Sequence, residues 1–141
     1  MRTRNLFASV LSGVLLLGCA TAIEPRLLPR DCTEVICHIK ISVDDGKVVV
    51  DPPIARVTGN QFVQLQWHLA HGLEFSVAGD GIEFKGDTRD QFYDGKVTQD
   101  KKNFFWRDKN TLKGSFDYWV TFHDSQGRRY RHDPTIMNDA S

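Results

Sequence analysis

The sequence predicts an all-β chain folded as a single β-sandwich of about seven strands, and three observations carry that expectation. Short stretches alternate apolar and polar residues with a period of two, the signature of half-buried strands. Turn residues rich in Gly, Asp, Asn and Pro separate them at intervals of roughly 8 to 12 residues. Nowhere does a long stretch show the 3.6-residue period of an amphipathic helix, and no segment repeats.

The first strand is read in Val35, Cys37, Ile39, Ile41 and Val43, with His38, Lys40 and Ser42 alternating between them. Asp44-Asp45-Gly46-Lys47 ends it, and Asp-Gly flanked by such runs is a strong hairpin signal, so Val48-Val49-Val50 returns as the second arm. Asp51-Pro52-Pro53 stops that arm because proline cannot donate to a ladder. Residues 54–57 form a further short run and lead through Thr58-Gly59-Asn60 into a strand over 62–69. There Val63, Leu65, Trp67 and Leu69 face one way and Gln64, Gln66 and His68 the other.

Residues 73–77 and 82–84 read as short strands around Gly79-Asp80-Gly81, and residues 86–102, charged and broken by glycine, read as loop. Asn103-Phe104-Phe105-Trp106 is either a strand or a hydrophobic latch across the sandwich. Alternation returns at Phe116, Tyr118, Val120 and Phe122 against Asp117, Trp119, Thr121 and His123. Residues 124–127 turn the chain into 128–131, and residues 134–138 finish it.

The amino terminus sets the expected location. Arg2 and Arg4 precede an apolar run over residues 6–17, the order of a secretory signal, and that run is shorter than the roughly 18 residues a spanning helix needs. Leu16-Leu17-Gly18-Cys19 resembles the lipobox of bacterial lipoproteins, in which the cysteine thiol is acylated and becomes the new amino terminus. The resemblance implies a signal peptide over 1–18, a lipid such as palmitate on Cys19, and membrane attachment. Ala20 rather than aspartate after that cysteine resembles the outer-membrane sorting pattern, which implies a protein of the outer membrane facing the periplasm. Ala20-Thr21-Ala22 offers a rival cut that would release a soluble chain starting at Ile23. Residues 19–31, with Pro25 and Pro29, read as a tether, and residues 32–141 as the sandwich domain.

With Cys19 lipidated or removed, Cys32 and Cys37 remain as one pair, which an oxidising compartment lets close as a disulfide. Closing so short a ring contributes on the order of 2 kcal/mol. The C-x4-C spacing is not that of a C-x-x-C redox motif. Without Arg2 and Arg4, the 18 basic side chains fall to 16 against 18 acidic ones, a balance that argues against a nucleic-acid partner.

Residues 54–57, Gly59-Asn60, the strand with Trp67, Gly81-Ile82-Glu83-Phe84, residues 116–122 and Pro134-Thr135-Ile136-Met137-Asn138 together resemble an uncharacterised group of small secreted bacterial proteins with a cupredoxin-like sandwich. The resemblance runs over roughly residues 48–138 and implies a cupredoxin-like arrangement of the strands. An immunoglobulin-like one stays open, and the resemblance implies almost nothing about activity. Cupredoxins hold copper with a thiolate near the last strands. This chain has no cysteine after Cys37, and Met137 lies far beyond His123, so a blue-copper site is not expected.

Chemistry is otherwise sparse. No G-x-S-x-G, H-E-x-x-H or phosphate-cradling glycine loop occurs, so no enzymatic activity and no cofactor are expected. Asp80, Glu83, Asp87, Asp90 and Asp94 do not follow calcium-loop spacing and read as a charged loop. His38, His68 and His123 all fall on polar strand faces, and neighbouring strands would let two of them bind copper or zinc. Trp106 and Trp119 are candidates for partner binding, since tryptophan is favoured at interface hot spots. Arg128, Arg129, Arg131 and His132 make a basic stripe that reads best as a charged edge strand. The expected function is a non-catalytic envelope module that binds another envelope protein. The alternatives are a copper- or zinc-binding periplasmic protein and a small enzyme inhibitor presenting residues 86–102.

Overall fold

A computed structural model describes residues 28–59, 61–76 and 79–140. The signal peptide, Cys19 and residues 19–27 of the tether lie outside the described residues. Among the described residues there is no helix, and the strands pack as two sheets in a single β-sandwich. They run β1 (Arg30–Cys32), β2 (Ile36–Asp44), β3 (Lys47–Asp51), β4 (Ile54–Thr58), β5 (Val63–Leu69), β6 (Leu73–Glu74), β7 (Gly81–Phe84), β8 (Phe92–Val97), β9 (Asn103–Asp108), β10 (Gly114–Asp124), β11 (Arg129–His132) and β12 (Thr135–Asp139).

One sheet has the order β3-β2-β5-β9-β8. The other runs β1-β4-β12-β10-β11, with β6 and β7 also pairing to β10. The hairpin expected at Asp45-Gly46 joins β2 to β3, and both residues take positive φ (51° and 76°), as a two-residue turn that matches strand twist requires. Three pairings are parallel: β2 with β5, β1 with β4, and β4 with β12.

The period of two read from the sequence is the burial pattern observed. Cys37, Ile39 and Ile41 of β2 and Val63, Leu65, Trp67 and Leu69 of β5 face inward against Tyr118, Val120 and Phe122 of β10 and Ile136 of β12. Thr121, expected on the polar face, is buried too. Burying these apolar side chains supplies the main driving force for the fold. Cys32 and Cys37 are bonded, with sulfurs at 1.98 Å. Because β1 and β2 belong to different sheets, this link joins the two layers and is more than a local staple.

Twelve strands are described where about seven were expected, and the differences lie where alternation is weak. Residues 86–102 are not one loop, since they contain β8. Its pattern is disguised by a register irregularity between Tyr93 and Lys96, where Asp94 takes φ 60°. Gly95 sits there because a Cβ would run into the Trp106 ring. The sheet also begins earlier than the expected boundary at residue 32, since Arg30 and Asp31 of β1 already pair with Ala55 and Arg56 of β4. Val35 and Phe62, read as strand residues, lie just outside β2 and β5 and are each 62% exposed.

Candidate functional site

Three places on the described surface bring together side chains able to bind something. The first is the outer face of the β3-β2-β5-β9-β8 sheet. There the register sets His38 beside Gln66 and Lys40 beside His68, which makes the two histidines diagonal neighbours on parallel strands. His38 Nδ1 lies 2.8 Å from His68 Nε2, and the rings stack with centroids 5.0 Å apart. His68 faces Asn103 across the β5–β9 ladder, and its Nδ1 lies 2.6 Å from the Asn103 amide oxygen. With that oxygen as acceptor, His68 carries its proton on Nδ1, so its Nε2 offers a lone pair to His38.

His123 does not join them. It belongs to β10 in the opposite sheet, where Nδ1 lies 3.0 Å from Oδ2 of Asp80. The Asp80 carboxylate, 5% exposed, also accepts hydrogen bonds from the Ser76 backbone N–H at 3.2 Å and from Arg129 Nε at 3.2 Å. Burial works to raise the Asp80 carboxyl, but the hydrogen bonds from His123, Ser76 and Arg129 outweigh it and hold the group below the usual carboxylate range. These residues and Gly127 line an open cleft of roughly 500 Å³. The arrangement orients an imidazole, as a general base requires. Arg129, however, is occupied by Asp80 and by the Gly79 carbonyl.

The third place is an apolar notch of about 300 Å³ lined by Val35, Phe62, Val63, Gln64, Tyr93 and Arg107. Phe62 meets Tyr93 edge to face with centroids 6.5 Å apart, and Lys109 Nζ stands 5.7 Å over the Tyr93 ring. Exposed Val35 and Phe62 beside two cations make this the most partner-like surface described.

The two tryptophans expected to bind a partner are both part-exposed and make contacts within the sandwich. Trp106 is half-buried, donates Nε1–H to the Ile82 carbonyl of the facing sheet at 3.1 Å, and packs against Phe84. Trp119 carries Lys85 Nζ at 3.7 Å and Arg131 at 4.0 Å from its ring centroid, the first cation from the residue after β7 and the second from β11. The acidic group disperses: Asp94 lies near Lys96 and Arg107, and Asp87 caps the Arg89 N–H. The basic stripe lies on edge strand β11, with Arg129 on Asp80 and Arg131 on Trp119. Among the described residues no three His, Cys, Asp or Glu side chains converge in the manner of a metal site.

A polar cluster escaped the sequence reading altogether. Asp108, fully buried, accepts on Oδ1 from Gln91 Nε2 at 2.5 Å, the Asn110 N–H at 2.8 Å and Asn138 Nδ2 at 3.0 Å. Its Oδ2 and the side-chain oxygens of Asn110 and Asn138 accept no hydrogen bond among the described residues. Burial pushes the Asp108 carboxyl up, against the opposing pull of those donors. The only forewarning in the sequence is that Asn138 sits within an otherwise strand-like run.

Comparison with protein-family models and with curated proteins finds no match.

Proposed function

We propose that this chain is a non-catalytic lipoprotein of the cell envelope, anchored through an acylated Cys19 to the outer membrane facing the periplasm, and that its sandwich docks a second envelope protein. The observation that carries the docking half is the notch at Val35, Phe62 and Tyr93. It leaves large apolar side chains in water beside Arg107 and Lys109. A partner segment suited to it places an apolar side chain in the notch and a carboxylate at its rim, since aromatic and arginine side chains dominate interface hot spots. The anchoring half rests on Leu16-Leu17-Gly18-Cys19. Kinship with the small secreted cupredoxin-like proteins belongs to the same proposal. The inhibitor alternative loses the free loop it relied on, because residues 86–102 include β8.

A photo-crosslinking side chain placed at Phe62 in native envelopes tests the docking half. The expected result is one discrete crosslinked partner, lost on Arg107→Glu and absent when the crosslinker stands at exposed Glu83. Equal crosslinking from both positions would overturn it. Mass spectrometry of the purified amino terminus tests the anchor: an acylated Cys19 supports it, and an unmodified Ile23 start refutes it.

A further inference from the structure

We propose that His38 and His68 form a two-nitrogen copper(II) site on the outer face of the β3-β2-β5-β9-β8 sheet, oriented by Asn103. The donor chemistry narrows the ion first. Calcium and magnesium want oxygen ligands, and this pair offers imidazole nitrogens, which suit copper and zinc.

Affinity then favours copper, since a given nitrogen site holds copper(II) more tightly than zinc. Two ligands about 2.0 Å from a metal and at right angles to each other lie about 2.8 Å apart, whereas a tetrahedral pair lies about 3.3 Å apart. His38 Nδ1 and His68 Nε2 are 2.8 Å apart. The hydrogen bond between the rings sets that distance, which is also the separation of adjacent positions in a square-planar copper(II) site, so turning the two rings toward a shared ion needs no movement of either strand.

The second observation is the support behind the pair. Histidines that bind metals generally donate their other ring N–H to an oxygen, which fixes the ring and raises its basicity. His68 does this through Nδ1 to the Asn103 side-chain oxygen, and Asn103 is placed by its pairing opposite His68. Before metal enters, the His38 proton lies on Nδ1 and points at His68 Nε2. On binding, that proton moves to His38 Nε2, which leaves a lone pair on each of the two facing nitrogens for the ion. The remaining positions are filled by water, because no third His, Cys, Asp or Glu converges there among the described residues.

The test is copper sulfate titration of the full chain, purified without a histidine tag and followed by electron paramagnetic resonance. One copper per chain with an axial spectrum and splitting from two equatorial nitrogens is the expected result. His38→Ala and His68→Ala should each weaken binding at least tenfold, Asn103→Ala about tenfold, and His123→Ala not at all. Matched melting curves without copper show that the variants fold, and the nitrogen count in the unmodified chain needs no variant. Absence of a stoichiometric copper site, a spectrum without two nitrogens, or copper held equally well after His38→Ala and His68→Ala would each overturn the proposal.

Discussion

Trp67 Nε1 donates a hydrogen bond to the Tyr118 hydroxyl at 2.9 Å, and the two rings meet edge to face with centroids 5.3 Å apart. Trp67 belongs to β5 and Tyr118 to β10, so the bond crosses the sandwich between two of its largest fully buried side chains. It gives the indole N–H a partner in a place water does not reach, and burial pushes the Tyr118 phenol well above its ordinary range.

Tyr118→Phe should therefore cost more than a hydroxyl at the surface would. The indole N–H is left buried without an acceptor, a penalty of about 1–3 kcal/mol. Urea unfolding measures it; a midpoint equal to that of the unmodified chain would show that the indole finds another partner.

Asp108→Asn should stabilise the protein at neutral pH by about 1 kcal/mol. The unsatisfied side-chain atoms around Asp108 are all acceptors, and the substitution supplies an amide donor while keeping the oxygen that receives three hydrogen bonds. Because the folded carboxyl is raised, it binds its proton more tightly than in the unfolded chain. Its contribution is present below the ordinary carboxylate value and is lost as pH rises through the folded one. Melting temperature against pH should show that loss in the unmodified chain and not in Asp108→Asn.

Asp80 should behave in the opposite sense. Its folded carboxyl is held low, so its stabilisation is present above the ordinary carboxylate value and lost as pH falls through the folded one. Asp80→Asn should cost about 1–3 kcal/mol near neutrality, by removing the charged partner of His123 and Arg129. The gap between the two melting curves should close in acid, and a gap independent of pH would refute the assignment.

Removing the Cys32–Cys37 link by replacing both residues with serine should lower stability by about 2 kcal/mol. Reduction of the unmodified chain should have a similar effect, and reductant should leave the double variant unchanged. Because the link joins β1 to the facing sheet, protection of the Ala55 and Val57 amides against hydrogen exchange should also fall.

Much of the fold was legible because alternation is local. The inward set of β2 and β5, the Asp45-Gly46 turn and the Cys32–Cys37 pairing each follow from neighbours in the chain. Where a strand lacks alternation the reading failed, as in β8, whose irregularity at Asp94 and Gly95 breaks the period. Exposed Val35 misled for a related reason: an apolar residue at the end of an alternating run continues the pattern whether or not the strand reaches it.

What the sequence by itself determined is the all-β class and, for the alternating strands β2, β5 and β10, where they run and which apolar set turns inward, since a period of two assigns faces without reference to any partner. Tertiary structure alone decided which polar faces meet. All three strand-face histidines look alike in sequence, yet the parallel register of β2 with β5 sets His38 against His68, while β10 carries His123 to the other sheet. Pairing between strands distant in the chain depends on how two whole sheets close over one core, and no local pattern encodes it.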